Sequence, residues 1–510
     1  MKNLAYKSAL LASGCLATTV SAKNPHVKAP ADKPNVIFIL VDDFGWSDVG
    51  YNGSKFYETP NIDRLACEGM QFTDGYAAAP VSSPTRLSIM TGKSPARLNM
   101  TDWLPGYQYG KKPQQLSRYK MIAPRIELNL PLSEQTIGTA MQKNGYATWF
   151  VGKWHCSMTE EFYPEHHGFD VNIGGWLKGS PNGKKRVDNE GGAYYTPYNN
   201  PNLPDGPKGE FLTDRLGDEA VKLIKNAGEK PFFLYLSFYA VHTPIEAKPE
   251  KTAYFKEKAR RMGIDRVKPF TRDVEWFRSA AHPAWHWRER VIQSNAEYAA
   301  LVSSMDENVG KVLDFLKASG LEENTIVCFL SDNGGESTAD GSPTCNAPLR
   351  AGKGWLYEGG IREPYIIKYP PVTEAGSRSS MPVTSMDFYP TILQLAGLPA
   401  MPRQHIDGVS LVPTLKGKKQ DRGPIFFHSP HYGGKGDAPA GAIREGDWKL
   451  LEFFEDGHIE LYNLKNDISE KHDLSESEPQ IAEKMLRKLH KWREACGARM
   501  PVINEYYSEK

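Results

Sequence analysis

Four short apolar runs, each followed at once by polar residues, constrain the fold of this 510-residue chain most strongly. The runs are rich in β-branched and aromatic residues, and they are apolar throughout instead of alternating with polar residues. That pattern is typical of strands that are buried on both faces of a largely parallel sheet. We therefore predict an α/β fold in which a large, mixed and mostly parallel sheet lies between helices. The runs are residues 36–41 (VIFILV), 147–151 (ATWFV), 232–236 (FFLYL) and 326–330 (IVCFL).

Helical periodicity fills two of the intervals between these runs, at residues 132–144 and 295–319. From residue 424 onward, short strand-like pieces alternate with turn residues and precede an amphipathic helix. We predict a catalytic domain over residues 23–423 and a smaller C-terminal α+β subdomain, residues 424–510, with an antiparallel sheet and a helix packed on it. The strand-like pieces are residues 425–427, 442–444, 448–452 and 460–462, and the helix is residues 479–496.

The first 22 residues have the pattern of a secretory signal peptide. Lys2 and Lys7 precede an apolar stretch, and small residues before position 23 offer a cleavage site. We expect a secreted, periplasmic protein, with lipidation of Cys15 as the less favoured alternative. No later segment has the roughly 18 uninterrupted apolar residues of a membrane span. The chain holds 62 basic and 61 acidic residues, so its net charge does not favour a nucleic-acid partner.

The polar residues that follow the four runs are the first candidates for a functional site. In open α/β sheets ligands bind beyond the carboxyl ends of the strands, so side chains that follow parallel strands meet at one edge. An Asp-Asp or Asp-Asn pair after a strand is also a common turn, and that alternative stays open for each pair taken alone. Four strand ends together favour a site. The residues are Asp42 and Asp43 after the first run, Lys153 and His155 after the second, His242 after the third, and Asp332 and Asn333 after the fourth.

The stretch SSPTR at residues 82–86, which runs on to a Thr-Gly pair, resembles the signature of the formylglycine-dependent sulfatases. Ser82 occupies the position of the family's oxidised residue, and the family's Pro and Arg are also present, the latter as Arg86. The resemblance spans residues 35–474 and implies an alkaline-phosphatase-like fold and the hydrolysis of sulfate esters. Taken alone, the same five residues are also compatible with a helix cap.

In that family the signature Ser or Cys is oxidised after translation to formylglycine, whose hydrate carries two hydroxyls on one carbon. One hydroxyl takes the sulfuryl group, and loss of the proton from the other expels sulfate, so that one hard step is divided into two easier ones. For this chain the resemblance implies that Ser82 becomes 3-oxoalanine (formylglycine). A serine signature further implies a maturation enzyme of the radical-SAM type as a partner.

The resemblance also assigns roles to the strand-end residues. Arg86 and Lys153 would hold formylglycine and sulfate, and Lys353 would be a second sulfate-binding lysine. His155 would remove a proton from the formylglycine hydrate, and His242 would protonate the leaving oxygen. Hard oxygen donors at the remaining positions suit Ca²⁺, with Mg²⁺ the less favoured ion. The implied metal ligands are Asp42, Asp43, Asp332, Asn333 and an oxygen of residue 82.

Substrate recognition rests on loops. A sugar ring requires aromatic faces and hydrogen-bonding side chains, although the tryptophans of an insertion at residues 276–287 are equally suited to packing that insertion onto the core. Several stretches look like those of bacterial carbohydrate sulfatases near the arylsulfatase A/B group, which implies a sulfated glycan substrate such as galactose or N-acetylgalactosamine 4-sulfate. The predicted substrate-binding residues are Asp102, Trp103, Arg350, His428 and His431.

Two other functions remain open on the sequence. One is a phosphate or phosphonate monoester hydrolase of the same superfamily, and the other is a non-catalytic glycan-binding protein in which Ser82 stays serine. The Lys-x-His pattern at Lys153 and His155, together with His242 and Lys353, favours sulfate hydrolysis.

Overall fold

An eight-stranded mixed sheet forms the centre of the computed structural model, which describes residues 33–181, 193–271, 288–339 and 341–508. The predicted signal peptide, Cys15 and the insertion at residues 276–287 lie outside the described residues. Within them, no helix is both long and apolar enough to cross a bilayer. The strands are β1 (Asn35–Val41), β2 (Met70–Phe72), β3 (Gly75–Tyr76), β4 (Met121–Ile122), β5 (Ala147–Gly152), β6 (Val171–Ile173), β7 (Phe232–Ser237), β8 (Phe270–Thr271), β9 (Glu289–Arg290), β10 (Thr325–Ser331), β11 (Tyr365–Lys368), β12 (Arg378–Ser379), β13 (Val383–Thr384), β14 (Ile425–Ser429), β15 (Ala440–Glu445), β16 (Trp448–Phe453), β17 (Ile459–Asn463) and β18 (Val502–Ile503).

The four predicted runs are confirmed as neighbouring strands of this sheet. Its order is β12-β2-β11-β10-β1-β7-β5-β6, and β10, β1, β7 and β5 are parallel to one another. Val41 at the end of β1 lies opposite Ser331 at the end of β10, so the polar residues that follow these two strands emerge side by side. The sequence did not predict β11, which pairs antiparallel with β10, or the short strands β2, β12 and β6.

Helices cover both faces of the sheet, which explains why its central strands are apolar throughout. Alternate residues of β1 point to opposite faces. Ile37 and Ile39 pack in the cluster that holds α1, α5, α6 and α7, whereas Phe38 and Leu40 pack with α2, α4, α9 and α10. The helices are α1 (Pro60–Glu68), α2 (Ser82–Thr91), α3 (Pro95–Leu98), α4 (Ile137–Lys143), α5 (Leu212–Lys225), α6 (Pro249–Met262), α7 (Ala296–Ala318), α8 (Glu358–Ile361), α9 (Phe388–Leu395), α10 (Val412–Leu415) and α11 (Pro479–Cys496).

The two helices predicted between the runs differ in outcome. The prediction at residues 295–319 is confirmed by α7, where the Asn295 side chain caps the helix by accepting the Glu297 N–H at 3.1 Å. The predicted start at residue 132 is wrong, because α4 begins only at Ile137. Thr136 caps α4 and accepts the Thr139 N–H at 3.0 Å.

The predicted C-terminal sheet and helix are also confirmed. Strands β14 to β17 form a four-stranded antiparallel sheet in sequence order. One face packs on α11 through side chains that include Leu450, Leu461 and Leu489. The other face packs against Trp355 and Tyr357, which precede α8. The sheet is therefore joined to the central domain through an apolar contact close to Lys353.

Candidate active site

Four oxygen-bearing side chains meet where β1 and β10 end. Asp42 and Asp43 follow β1, and Asp332 and Asn333 follow β10. The Asp43 N–H donates to Asp332 Oδ1 at 3.2 Å, and Asn333 Nδ2 donates to Asp43 Oδ1 at 2.8 Å. Asp43 has a φ of 58°, in the left-handed region, which turns the chain sharply as it leaves β1. All four side chains are buried.

Ser82 is the first residue of α2, and its hydroxyl points to the strand ends. Its Oγ accepts a hydrogen bond from Lys153 Nζ at 3.0 Å and lies 3.3 Å from Asp42 Oδ1 and 3.4 Å from Asn333 Oδ1. The residue that caps α2 is Val81, without a side-chain hydrogen bond. The helix-cap alternative for Ser82 is therefore wrong, and the helix N-terminus adds a favourable position for an anion beside it.

Arg86 connects three strand ends from one turn further along α2. Its Nε donates to Asp332 Oδ2 at 2.8 Å, and its Nη2 lies 2.7 Å from the same oxygen in an ion pair. Its Nη1 donates to Lys153 O at 2.9 Å and to Ser237 Oγ at 2.7 Å. Burial would raise the pKa of Asp332, but the Arg86 guanidinium and then Lys153 hold that pKa at about 2. Arg86 thus keeps Asp332 ionised and oriented.

Lys153 forms a fully buried ion pair with Asp42, in which its Nζ lies 2.6 Å from Oδ2. Burial raises the pKa of Asp42 well above its usual value, with Asp332 adding to the rise, and burial also lowers the pKa of Lys153. Both shifts disfavour the charged forms. A cation placed near Asp42 would oppose the first of them, because an opposite charge within a few ångströms favours the ionised carboxylate.

Lys353 and His242 lie on the other side of Asp43. Lys353 Nζ is 2.7 Å from the Asp43 carboxylate and 3.3 Å from His242 Nε2. His242 Nδ1 lies 2.5 Å from the Thr243 carbonyl oxygen, so Nδ1 carries the proton and Nε2 is the acceptor that faces Lys353. Burial, followed by the Lys353 ammonium, lowers the pKa of His242 to about 3.

His155 has one ring nitrogen without a partner. Its Nε2 lies 3.0 Å from the Leu104 carbonyl oxygen and therefore carries the proton, while Nδ1 is buried and forms no hydrogen bond. Gly179 packs against the ring so closely that a Cβ there would lie 2.3 Å from Cε1. Burial and then Lys153 lower the pKa of His155 well below its usual value. His155 is thus a neutral imidazole with an available lone pair.

The acidic residues form a candidate metal site. Among the described residues, Asp42, Asp43 and His242 each offer a ligand atom, and these atoms lie within 4.8 Å of one another. The donor set predicted from the sequence also comes together, but Asp332 Oδ2 faces Arg86 and only its Oδ1 faces Asp43. Carboxylate, amide and hydroxyl oxygens are the donors that a hard divalent cation prefers.

A cavity of about 520 Å³ opens onto these groups. Ser82, His155, His242 and Lys353 line it, whereas Arg86 and Lys153 do not. The wall also includes Asp102, Trp103 and His431, three of the five residues predicted to bind substrate. The structure therefore brings residues predicted for the chemistry and residues predicted for substrate recognition to the wall of one cavity.

Comparison with known proteins gives the family. A family model described as Sulfatase matches residues 34–398, which is more than half of the chain. The chain belongs to the sulfatase family. A second family model, described as N-sulphoglucosamine sulphohydrolase, C-terminal, matches residues 351–495. This sulfatase is a sulfuric ester hydrolase with the fold of the alkaline-phosphatase-like superfamily.

Individual relatives cover most of the sulfatase. A protein named Sulfatase from Formosa agariphila is 32% identical over 95% of this chain and 93% of its own length. N-acetylgalactosamine-6-sulfatase from Mus musculus is 32% identical over 78% of this chain and 68% of its own length. The crystal structure of Ps i-CgsB in complex with k-i-k-neocarrahexaose is 33% identical, with a TM-score of 0.71 over 91% of this chain and 93% of that chain.

Two residues predicted to bind substrate do not line the cavity of the sulfatase. Arg350 Nη1 donates to Tyr462 Oη at 3.0 Å and to Glu470 O at 2.6 Å, and its guanidinium lies 4.1 Å from the Tyr357 ring. Its contacts therefore join the C-terminal sheet to the central domain. His428 is buried with its Nε2 3.0 Å from the Arg499 carbonyl oxygen. Arg350 is therefore held between the two parts of the chain and His428 within the C-terminal part, and neither lines the active-site cavity.

The sequence also missed several residues of the cavity wall. Glu336 contacts Lys435 Nζ through Oε1, and Asp437 accepts the Lys435 N–H at 3.2 Å. Burial raises the pKa of Asp437 to about 7. Glu336 could have been predicted from the sequence, because it lies only three residues after Asn333. Lys435 and Asp437 could not, because their glycine-rich loop between β14 and β15 matches no motif.

Proposed function

We propose that this sulfatase removes sulfate from a sulfated carbohydrate, with Ser82 oxidised to formylglycine as the nucleophile and a divalent cation, Ca²⁺ in preference to Mg²⁺, beside it. The observation that carries the proposal is the direction of the Ser82 hydroxyl. The Ser82 Oγ lies within 3.4 Å of polar atoms of Lys153, Asp42 and Asn333. The N-cap position of α2 is occupied by Val81 and not by Ser82. A residue placed only to cap the helix would not make these contacts.

Asp42, Asp43, Asp332, Asn333 and residue 82 would hold the cation. When bound, such an ion supplies Lewis-acid charge that neutralises a sulfate oxygen and favours a nucleophilic oxygen at residue 82. The Arg86 fork fixes Asp332, and the Asp43 N–H holds the other Asp332 oxygen, so this ligand has little freedom to turn away. That preorganisation supports the assignment of the site.

Formylglycine would supply a hydrated aldehyde, in which one hydroxyl accepts the sulfuryl group and the other allows its release. Lys153 Nζ donates to the residue 82 oxygen in the present geometry and would orient it. His155 lines the same cavity with a neutral ring whose Nδ1 is unpartnered. We assign to that nitrogen the acceptance of the proton from the residue 82 hydrate.

His242 and Lys353 would serve the leaving group. Both line the cavity, and their nitrogens are 3.3 Å apart. A sugar hydroxyl is a poor leaving group without a proton, and a positioned imidazole is the usual donor. An anionic sulfate ester between the two would raise the proton affinity of His242 Nε2, and the Lys353 ammonium would stabilise the charge on the sulfate.

The sugar would occupy the part of the cavity bounded by Asp102, Trp103 and His431. The relatives named N-acetylgalactosamine-6-sulfatase and the structure bound to k-i-k-neocarrahexaose support a galactose-type sulfated sugar. Together with the sequence resemblance to 4-sulfatases, they make the 4- and 6-sulfates of galactose and N-acetylgalactosamine the substrates to test. We further propose export to the periplasm and maturation by a radical-SAM type enzyme, on the sequence features of residues 1–22 and Ser82.

Sulfate release tests the proposal. Protein co-produced with a serine-type maturation enzyme is assayed on these sugar sulfates and on matched aryl sulfate and aryl phosphate esters, with Ser82→Ala as the control. We expect sulfate ester turnover by the matured protein and none by Ser82→Ala. Faster turnover of the aryl phosphate would instead identify a phosphate monoester hydrolase. Absence of turnover on every sulfate ester, by protein with confirmed formylglycine, would contradict the proposed function.

A further inference from the structure

One surface segment, residues 103–126, carries a concentrated positive charge. It contains five basic residues and no acidic residue, although the whole chain has a net charge of only +1. Four of the five are exposed and one is half-buried. We call this segment the basic arm. Its basic residues are Lys111, Lys112, Arg118, Lys120 and Arg125.

The charges of the basic arm are not neutralised within the part of the chain that the structure describes. None of its five basic side chains lies within ion-pairing distance of a described carboxylate. Aromatic groups hold two of them in place instead. Lys111 Nζ lies 4.5 Å from the centre of the Tyr107 ring, and Arg118 Nη2 donates to the Tyr107 hydroxyl at 3.0 Å. Such contacts order a cation without removing its charge.

The basic arm is also anchored along its length. Its strand β4 pairs with β18 near the C-terminus. Asn504 Nδ2 donates to the carbonyl oxygens of Leu116 and Tyr119, each at 2.9 Å, and the Met121 N–H donates to the Tyr432 hydroxyl at 3.2 Å. These contacts hold the backbone from which the basic side chains extend, and an ordered backbone lowers the entropy cost of binding.

A second cavity, of about 720 Å³, lies between the basic arm and the active-site cavity. Lys111 and Arg125 line it together with Tyr109, whose side chain is 59% exposed. It shares Asp102, Pro105 and His431 with the active-site cavity. A chain of sugars that places one unit in the active site can therefore continue into a neighbouring space that offers two cations and an aromatic face.

We propose that the basic arm binds the continuation of the sulfated glycan, so that this sulfatase prefers sulfated oligosaccharides to monosaccharides. The inference rests on the proposed function. Sulfate groups on the flanking sugars are anions that pair with the Lys and Arg side chains, and the Tyr109 ring offers a flat apolar face to a sugar ring. Because the cations are exposed, the interaction is screened by salt and supplies selectivity for polyanionic chains more than tight binding.

The test compares two variants that lose the same charge. Lys111→Gln, Lys112→Gln and Arg125→Gln are combined in one protein, and Lys416→Gln, Lys418→Gln and Lys419→Gln in the other. The control lysines are exposed and line neither cavity. The probes are 4- and 6-sulfated chondroitin hexasaccharides, unsulfated chondroitin hexasaccharide, duplex DNA and a small aryl sulfate.

We expect the arm variant to bind the sulfated hexasaccharides roughly tenfold more weakly at low salt, with the difference fading as salt screens the charges. The control variant should match the wild type, and aryl sulfate turnover should be unchanged in both. Equal binding by the arm and control variants would overturn the inference. So would DNA binding as tight as sulfated glycan binding and equally weakened, which would indicate a nonspecific polyanion surface.

The readouts separate this inference from the proposed function. Aryl sulfate turnover reports only the chemistry, and the difference in hexasaccharide binding between the arm variant and the control variant reports only the basic arm. Loss of binding in a protein that hydrolyses no sulfate ester would contradict the proposed function alone. Arg125→Gln by itself provides a milder variant, since the Arg125 side chain makes no hydrogen bond among the described residues and its loss should not affect the melting temperature.

Discussion

The end of the active site that is proposed to bind sulfate (the sulfate end) and the end proposed to bind the sugar (the sugar end) are built on different principles. At the sulfate end, most groups follow strands of the central sheet or lie on α2, and carboxylates are matched by Arg86, Lys153 and Lys353. At the sugar end, Asp102 is held by two backbone N–H groups, those of Trp103 at 2.8 Å and Tyr107 at 3.0 Å. The pairing register of the central sheet therefore sets the positions of the side chains at the sulfate end, whereas loop conformation sets those at the sugar end.

From this difference we infer that catalysis and substrate specificity can be altered separately in this protein. A substitution at the sulfate end leaves a buried charge without its partner, so its effect on the chemistry should be large. A substitution at the sugar end alters a loop and should change substrate affinity first. The predictions that follow test this separation, from the largest expected effect to the smallest.

The largest effect is expected from Asp43→Asn at the sulfate end. We expect turnover of every sulfate ester to fall on the order of 10²–10³-fold, since a preorganised charged group is lost. Added Ca²⁺ should raise the melting temperature of the wild type by mass action but not that of Asp43→Asn. Asp437→Asn, at the sugar end, is the control and should keep the Ca²⁺ response. Loss of the response in both variants would contradict the separation.

The two histidines should respond differently to the leaving group. His242→Ala should lower turnover of a sulfated sugar by roughly 10²–10⁴-fold and that of an activated aryl sulfate far less, because only the sugar alkoxide needs a proton. His155→Ala should impair both substrates alike, since its assigned proton transfer follows departure of either group. Rates over a series of aryl sulfates with different leaving-group pKa values check this. Equal slopes for the two variants would refute the roles.

At the sugar end, Asp102→Asn should raise the KM for sulfated sugar roughly tenfold while the aryl sulfate is turned over as before. The single amide oxygen of asparagine cannot replace both Asp102 oxygens as hydrogen-bond acceptors for the Trp103 and Tyr107 N–H groups. We therefore expect the loop of residues 102–107 to shift. Steady-state kinetics on the two substrates check the split. A matching loss on the aryl sulfate would show that the two ends are coupled.

Asp102 also makes a pH-dependent contribution to stability. Burial raises its pKa to about 7, above the usual value. The folded state therefore holds the proton more tightly than the unfolded state, and the stabilisation is lost as pH rises through the interval up to about 7. The difference in melting temperature between the wild type and Asp102→Asn should narrow over that interval. A difference that widens with pH would contradict the assignment.

The smallest effect on activity is expected from Arg350→Ala. The variant loses hydrogen bonds to Tyr462 and Glu470 and the contact with the Tyr357 ring, and it should be destabilised by roughly 2–3 kcal/mol. Its kcat and KM should equal those of the wild type. Arg350→Lys keeps the charge without the planar fork and should recover only part of the stability. A raised KM at unchanged melting temperature would restore Arg350 as a substrate-binding residue.

The two ends also differ in how far the sequence predicted them. The strand-end residues of the sulfate end were predictable because continuous apolar runs identify β1, β5, β7 and β10, and parallel strands bring the residues that follow them together. The short strand β11 was not predictable, because its four residues form a strand only by pairing with segments that are distant in the sequence. For the same reason, the sequence did not predict that Arg350 and His428 lie outside the cavity wall, since their contacts depend on how the C-terminal part of the chain packs.

The state of residue 82 tests the central claim most directly. Protein is prepared with graded amounts of a serine-type maturation enzyme, and mass spectrometry measures the fraction of the residue 82 peptide that is lighter by two hydrogen atoms. The account predicts that aryl sulfate turnover rises in proportion to this fraction and vanishes when all of the peptide carries serine. Full turnover by protein in which residue 82 is entirely serine would contradict it.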